Sequence, residues 1–294
     1  MPSLKEIKGR IASVKSTKKI TSAMKMIASA KLRKAQSQIE QYLPYEDRLT
    51  AILNNFLSGY GEESFLSALS DVREVRRVAL VVFSSNSSLC GAFNSNIIRI
   101  LQESVQKYRS QKCEVEVYPV GKKIEDAVRK LTIPVEIKGS YIPLMDKPAF
   151  EGAKEIGDAL MNDFLDKKID RVELIYNHFK NTAIQIPTDE QFLPVNLSNQ
   201  PVAGAKAIPT DYIIEPDRKT LLETLIPRSL RSKVYAVLLD SAAAEQGARV
   251  VAMQIATDNA DDLLGELTIQ YNKQRQQSIT SEILDIIGGS EALK

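Results

Sequence analysis

The sequence has 294 residues, with 39 Lys and Arg against 37 Asp and Glu, one histidine and two cysteines. This near-neutral balance excludes a generally basic protein, and a single histidine leaves little from which to build a metal cluster or a Ser-His-Asp triad. Tryptophan is absent, aromatic residues make up 6% of the chain, and no apolar run approaches the ~20 residues that would span a bilayer, so long helices are expected without a membrane span.

The N-terminal segment predicts a long helix that begins after Ser3. Ser3 and Glu6 have the spacing of a capping box. The apolar stripe that follows breaks at residues 15–19, where we expect a shift in register, and Pro44 is expected to bend or interrupt the helix. The stripe is formed by Leu4, Ile7, Ile11, Val14, Ile20, Met24, Ile27, Leu32, Ala35, Ile39, Leu43, Leu49, Leu53 and Phe56.

The middle of the chain predicts an α/β fold. Residues 58–74 contain Gly and Ser and indicate a flexible surface connection. In residues 75–209, short apolar runs alternate with amphipathic segments, which predicts a Rossmann-like domain with a mostly parallel sheet. The predicted strands are 78–83, 115–120, 133–137, 171–177 and 182–192, and the predicted helices follow residue 94 and cover 123–130 and 149–166.

The two ends of the chain are predicted to pair with each other. A second long helix starts after Asp217, and residues 5–34 carry ten basic residues and one acidic residue, whereas residues 240–294 carry nine acidic and four basic residues. Opposite charge and helical apolar spacing therefore predict an antiparallel two-helix coiled coil built from residues 1–57 and 210–294, with the Rossmann-like domain inserted between its helices.

The second helix is predicted to outrun the first. If both helices are level where they join the α/β domain, pairing ends near Tyr271 and residues 272–287 have no intramolecular partner, an overhang of roughly 25 Å at helical rise. The overhang still carries apolar side chains, so we expect another protein to cover it; a disordered tail is the alternative. Its apolar residues are Ile279, Ile283, Ile286 and Ile287.

Two other functional classes remain open from these patterns. A coiled-coil adaptor or a nucleic-acid-binding protein would use the basic first helix, although residues 5–41 contain no aromatic residue that could stack on a base. A dinucleotide-dependent enzyme would use the turn at 84–94, but this turn has neither GxGxxG nor GxxxxGK[ST]. His178 is interpreted as a strand-end residue, and Cys90 and Cys113 as buried thiols of a protein from a reducing compartment.

Several stretches resemble one family. The stretch IASVKSTKKITSAMKMIA at 11–28 is similar to the N-terminal helix of the gamma subunit of F-type ATP synthase, the central rotor stalk. The stretches ARVVAMQIATDNA at 248–260 and YNKQRQQSITSE at 271–282 agree with it independently, and SLCGAFN at 88–94 follows a predicted strand. The resemblance extends over essentially the full length of the chain.

The resemblance implies a non-catalytic subunit that needs no cofactor or metal and binds no nucleic acid. Its shaft would insert into a hexamer of alternating alpha and beta subunits, and its foot would sit with the epsilon subunit on a membrane-embedded c-ring. The implied location is peripheral, at the cytoplasmic face of a bacterial inner membrane, without direct insertion into the bilayer.

Matching positions also imply the residues that contact partners. The implied contacts with the hexamer are Met24, Arg249, Arg275, Gln276, Thr280, Ile283, Ile286 and Ile287, and those with the ring are Tyr212 and Glu215. Arg249 is implied to be the matching contact across the coil from Met24. Simpler explanations stay open: seam packing for Met24, an ion pair with Glu245 for Arg249, and a solvated carboxylate for Glu215.

Overall fold

The computed structural model describes residues 3–58, 68–131, 135–195 and 218–292. Within this part of the chain, helices and strands alternate between two very long terminal helices. In chain order they are α1 (Leu4–Ser58), a 3-10 helix (Ala68–Ser70), β1 (Arg77–Phe83), α2 (Phe93–Ser110), β2 (Glu114–Val120), α3 (Lys122–Val128), β3 (Glu136–Ile137), α4 (Ile142–Asp146), α5 (Phe150–Leu165), β4 (Arg171–Phe179), β5 (Gln185–Leu193) and α6 (Arg218–Ala292).

The sheet has the order β3-β2-β1-β4-β5, and its four pairings are parallel except the one between β4 and β5. The predicted mostly parallel sheet is confirmed. The exception arises because a short turn joins β4 to β5, in which the Asn181 side chain accepts hydrogen bonds from the backbone N–H groups of Ala183 and Ile184. Such a tight turn returns the chain antiparallel to the strand it has just left.

Helices cover both faces of the sheet, which explains why β1 is almost continuously apolar. On one face, α2 and α3 bury Ile97, Leu101, Val105, Ile124 and Val128 against alternate residues of β1 and β2. On the other face, α5 and the first part of α6 bury their apolar sides, formed by Ile156, Leu160, Phe164, Leu222, Ile226, Leu230 and Val234.

The described part of the predicted flexible connection, residues 68–74, is packed against the α/β core. Leu69 is buried there, and its carbonyl accepts a hydrogen bond from the Val195 N–H. Arg73 forms an ion pair of 2.7 Å with Asp170, whose carboxylate also accepts the backbone N–H groups of Arg76 and Arg77. Leu69 and Arg73 thus attach residues 68–74 to the sheet unit, and residues 59–67 lie outside the described residues, as do residues 132–134 of a predicted strand.

The start of α1 matches its prediction, since the Ser3 hydroxyl accepts the Glu6 N–H at 3.2 Å. The expected interruption at Pro44 is not observed, because α1 continues through that residue. Contacts with α6 hold the helix on both sides of the proline: the Tyr42 hydroxyl lies 2.8 Å from that of Ser232, and Arg228 donates to the Tyr45 hydroxyl at 2.8 Å.

Two compact units divide the chain. The helical unit comprises Met1–Ala28 and Arg249–Lys294, and the sheet unit comprises Ser29–Ala248. This division differs from the predicted boundaries at 57 and 210. The reason is that the adjoining parts of α1 and α6 pack with the sheet, as the burial of Leu222 and Leu230 in its core shows.

In the helical unit, α1 and α6 contact each other in antiparallel order. Lys18 bonds Asp261, the Thr21 hydroxyl lies 2.8 Å from that of Thr257, and Lys25 bonds Gln254. Continued at this register, Leu4 lies opposite Arg275, so α6 continues beyond the start of α1. The described overhang therefore begins near residue 276, about one turn later than predicted.

The seam of the helical unit follows heptad spacing without a shift at 15–19. Ile7, Thr21 and Ala28 are buried along α1, and the polar residues Lys18 and Lys25 contact α6 between them. Met253, Ala260 and Leu267 are buried along α6, also seven residues apart. The predicted seam at Ile20, Met24 and Ile27 is wrong because these residues lie one position before the contacting ones, at about 100° around the helix.

Candidate partner-binding surface

The large apolar residues displaced from the seam form an exposed stripe on α1. Ile20, Met24 and Ile27 are 53%, 39% and 59% exposed and share one helix face at the spacing i, i+4, i+7. Exposed apolar rows of this kind are typical of surfaces that bind other molecules, which makes this row a candidate binding surface. Met24 is therefore not one of the buried residues of the seam.

The end of α6 carries a second exposed apolar row. Ile279, Ile283 and Ile286 repeat the same spacing, with Ile287 next to them, and all four side chains are exposed. No residue of α1 lies opposite them in the described part of the chain. The helix is continuous here, so the alternative of a disordered tail does not apply to residues 276–292.

Polar groups lie at the base of this apolar row. Arg275 and Gln276 are exposed, and the Thr280 hydroxyl donates to the Gln276 carbonyl of its own helix at 2.9 Å. Within the described residues, the Arg275 guanidinium has no carboxylate partner, so its fork of donors remains available. These three polar residues and the isoleucines beyond them are thus brought together on one stretch of helix.

Other predicted contacts are placed differently. Arg249 is half-buried on α6, but the register puts Met24 at the level of Ile255, six residues from Arg249. This is about 9 Å along the helix axis, so Arg249 does not lie directly across from Met24. Tyr212 and Glu215 lie outside the described residues.

The carboxyl ends of the strands, where α/β proteins bind ligands, are occupied by the protein itself. Between β1 and β4, Cys90, Phe93 and Phe179 pack against Ala244 and Ala248 of α6. The chain turns to opposite sides of the sheet at this point, which is the position of a nucleotide crevice in dinucleotide-binding folds. Cys90 is buried, as predicted.

The neighbouring helix start is also satisfied internally. The Ser84 hydroxyl accepts the Ile124 N–H at 2.9 Å, and the Asn86 amide oxygen accepts the Lys122 N–H at 3.0 Å. Gly121 has a φ of 108°, and a Cβ there would lie 2.1 Å from the Ser84 carbonyl oxygen. Phosphate oxygens would have to displace these groups, so the geometry does not favour a dinucleotide site.

Other sites of chemistry are not apparent in the described part of the chain. His178 does lie near the end of β4, as predicted, with its Nδ1 2.7 Å from the Asp240 carboxylate, which also accepts the Phe179 N–H. The described residues contain no group of three His, Cys, Asp or Glu side chains placed to hold a metal ion. Among them, no helix has the length and apolar character needed to cross a membrane.

Comparison with known proteins agrees with this geometry. A family model described as ATP synthase matches residues 3–293. The ATP synthase gamma chain of Azobacteroides pseudotrichonymphae is 59% identical, with 100% of both chains covered. That of Phocaeicola vulgatus is 53% identical, with 99% of this chain and 100% of that relative covered.

This chain belongs to the ATP synthase gamma family. The central stalk of the Tetrahymena thermophila mitochondrial ATP synthase is similar in structure, with a TM-score of 0.59, 26% identity, and coverage of 81% of this chain and 99% of that one. The rotor of the Euglena gracilis enzyme shares the fold at a TM-score of 0.67 and 20% identity, covering 94% and 98% of the two chains.

Sequence reasoning missed the polar part of the seam in this gamma-family chain. Hydrophobicity pointed to Ile20, Met24 and Ile27, whereas spacing alone would have found Thr21 and Ala28, because they continue the series from Ile7 in steps of seven. Where a helix has both an intramolecular and an external partner, the position in the heptad is the better signal.

Proposed function

We propose that this chain is the central-stalk rotor subunit of an ATP synthase. It couples the rotation of a membrane ring, driven by protons or sodium ions, to the conformational cycling of a catalytic hexamer that makes or hydrolyses ATP. The observation that carries this proposal is the exposed apolar row at the end of α6, in a chain matched by the ATP synthase family over residues 3–293. A surface of this kind requires a covering partner.

The proposed partners of the helical unit are the alpha and beta subunits, with α1 and α6 acting as an antiparallel coiled coil. A rotor drives a catalytic cycle only if it binds the conformations of each site with unequal affinity. Apolar contacts are non-directional, so they suit an end that turns inside its bearing. The proposed contact residues are Met24, Arg249, Arg275, Gln276, Thr280, Ile283, Ile286 and Ile287.

The remaining parts of the proposal concern the foot and the setting of the complex. Residues 75–209 form the foot in this proposal and meet the epsilon subunit, while Tyr212 and Glu215, which follow the foot in sequence, meet the polar loops of the c-ring. The subunit is non-catalytic and binds peripherally at the cytoplasmic face of the membrane. Lys18 is paired with Asp261 of α6, which removes one of the cations that a nucleic acid would use.

Truncation of the chain after Tyr271 tests the proposal. The variant removes the unpaired end of α6 and is expected to lower ATP synthesis by the reconstituted complex several-fold, because the bearing loses its apolar contacts. The sheet unit has its own core and should keep its unfolding midpoint, and the helical circular dichroism signal of the chain should fall only by the share of the residues removed.

A full-length double variant, Ser281→Ala with Asp285→Ala, serves as the matched control, since both residues lie on the side of the same helix end that faces away from the isoleucine row. It should retain most of the synthesis rate. Unchanged synthesis by the truncated chain would overturn the proposed role of this end, and failure of the full-length chain to co-purify with alpha and beta subunits would overturn the function as a whole.

A further inference from the structure

We propose that a groove in the sheet unit binds an acidic segment of a partner subunit. The inference rests on the proposed function, because it takes the partner to be another subunit of the same complex. The groove lies between α1, α5 and α6 and has a volume of about 500 Å³. This aromatic-basic groove is lined by Tyr42, Tyr45, Phe150, Lys154, Thr224, Arg228, Arg231 and Ser232.

The apolar side of the groove is a rigid aromatic wall. Tyr42 and Phe150 both pack edge-on against Tyr235, with ring centroids 4.9 and 5.6 Å apart, and the Tyr42 hydroxyl is held by Ser232. Tyr45 and Phe150 nevertheless remain 39% exposed. The wall is therefore preformed, and a partner side chain would bury aromatic surface without first ordering it.

The basic side of the groove has unused hydrogen-bonding capacity. Arg228 is exposed and uses its Nε to donate to the Tyr45 hydroxyl, while its two terminal NH2 groups have no partner among the described residues. This leaves a guanidinium fork oriented by an aromatic hydroxyl and open to a carboxylate. Arginine binds carboxylates in a bidentate manner through such a fork.

The two other cations of the groove are only partly neutralised by their own chain. Arg231 is paired with Asp158 at 2.6 Å, whereas Lys154 lies 3.9 Å from Glu151, at the outer limit of an ion pair. Among the described residues, Arg231 and Lys154 each have a carboxylate within 4 Å and Arg228 has none, so Arg228 is the lining cation without an ion pair. Charge complementarity favours an anionic occupant at that side of the groove.

The combination of an aromatic wall and a guanidinium fork favours a polypeptide over other anions. A segment with Asp or Glu close to an apolar side chain satisfies both sides of the groove at once, and aromatic and arginine side chains are typical of the centres of protein interfaces. A nucleotide or an anionic lipid headgroup would use the cations in a similar way, and both are therefore outcomes of the test.

Site-specific photo-crosslinking in the assembled complex tests this inference. Thr224 is exposed at the groove, so it is replaced by p-benzoyl-phenylalanine in the full-length chain. The assembled complex is then isolated and irradiated, and the cross-linked peptide is identified by mass spectrometry. We expect one peptide of another ATP synthase subunit that contains Asp or Glu near an apolar residue. The variant Arg228→Glu should reduce its yield at least fivefold, and Arg228→Lys less.

Two controls make the result specific. The same crosslinker at Arg99, on the exposed side of α2, should not yield this peptide, and Arg99→Glu should leave the yield from position 224 unchanged. Thermal unfolding checks that Arg228→Glu retains the fold; if it does not, Arg228→Gln takes its place.

Several outcomes would overturn the inference: no cross-link from position 224 in assembled complexes, a linked peptide without carboxylates, a linked lipid or nucleotide, or a yield that Arg228→Glu does not change. These results are distinct from failure of the proposed function, which co-purification with alpha and beta subunits reports before irradiation. If the complex assembles normally but nothing binds in the groove, only the inference about the groove is refuted.

Discussion

The helical unit and the sheet unit use the same type of side chain in opposite ways. In the sheet unit, isoleucines such as Ile97 and Ile156 are fully buried between helix and strand. In the helical unit, Ile20 and Ile283 are at least half exposed, and smaller or polar residues such as Thr21 make the contact between the helices. The sheet unit therefore buries its isoleucines in its own core, whereas the helical unit buries some apolar residues, such as Ile7 and Met253, and leaves others exposed.

The largest expected effect is the loss of stability when a buried side chain of the sheet unit is truncated, compared with truncation of an exposed side chain of the helical unit. Phe164 is fully buried on α5 with the Arg73 guanidinium over its ring, so Phe164→Ala should lower the free energy of unfolding by about 3–5 kcal/mol. Ile283→Ala, at a half-exposed position, should change it by less than about 0.5 kcal/mol in the isolated chain. Urea denaturation of both variants measures the difference.

Activity should reverse this order of importance. In the assembled complex, Ile283→Ala is expected to reduce coupled ATP synthesis although the isolated chain is unaffected. If Ile283→Ala destabilised the isolated chain as much as Phe164→Ala does, the end of α6 would have an intramolecular core and the contrast between the units would be wrong.

A smaller effect is expected from matched glycine substitutions on α6. Gly265 lies in the helical unit, and a Cβ added there would have nothing within 4 Å, so Gly265→Ala should stabilise the helix by about 1 kcal/mol. At Gly247, in the sheet unit, the added Cβ would lie 3.0 Å from the Phe179 ring. Gly247→Ala should therefore stabilise the chain much less than Gly265→Ala, or not at all. Equal increases in the thermal unfolding midpoint of the two variants would contradict this difference.

The smallest effect concerns pH and one carboxyl group of β5. Asp189 accepts a hydrogen bond from Ser104 and lies diagonally across the strands from Glu173, which is held by Tyr108 and Arg171. Burial, with the negative charge of Glu173, raises the pKa of Asp189 to about 6. Lys107, on the same helix as Ser104, opposes this shift only partly.

The sign of the pH effect follows from the raised pKa. The folded chain binds a proton at Asp189 that the unfolded chain does not bind until about pH 4, so this group adds stability as pH falls through 6 and loses it as pH rises. Asp189→Asn should raise the unfolding midpoint most at pH 7.5, by roughly half as much at pH 5, and little below about pH 4. Glu114→Gln, at the exposed start of β2, is the control, and an identical pH profile for the Asp189 variant and the unmodified chain would contradict the assignment.

Much of the fold could be predicted because local patterns coincide with burial. The apolar run at 78–83 became β1, the amphipathic spacing of Ile97, Leu101 and Val105 became a face of α2, and the cap at Ser3 is present. In each of these elements, the residues that look apolar or capping are also the ones that pack or cap.

The remaining features depend on partners that a local pattern does not contain. Arg73 reads as a residue of a surface connection, yet Asp170, far away in sequence, fixes it in the core. Pro44 predicts a break in the helix, yet contacts of Tyr42 and Tyr45 with α6 hold the helix on both sides of the proline. Met24 is expected in the seam because it is apolar, and hydrophobicity alone does not distinguish a residue that packs within the chain from one that stays exposed.

The packing of Ala244, Gly247 and Ala248 against Phe179 and Cys90 has a consequence for small molecules. Residues of α6 fill this crevice. Because they belong to the same chain, they act at an effective concentration in the millimolar range or above. To bind in the crevice, a free metabolite would have to displace these residues and with them this part of α6. The place where related α/β folds admit a cofactor is thus closed here by a helix of the same chain.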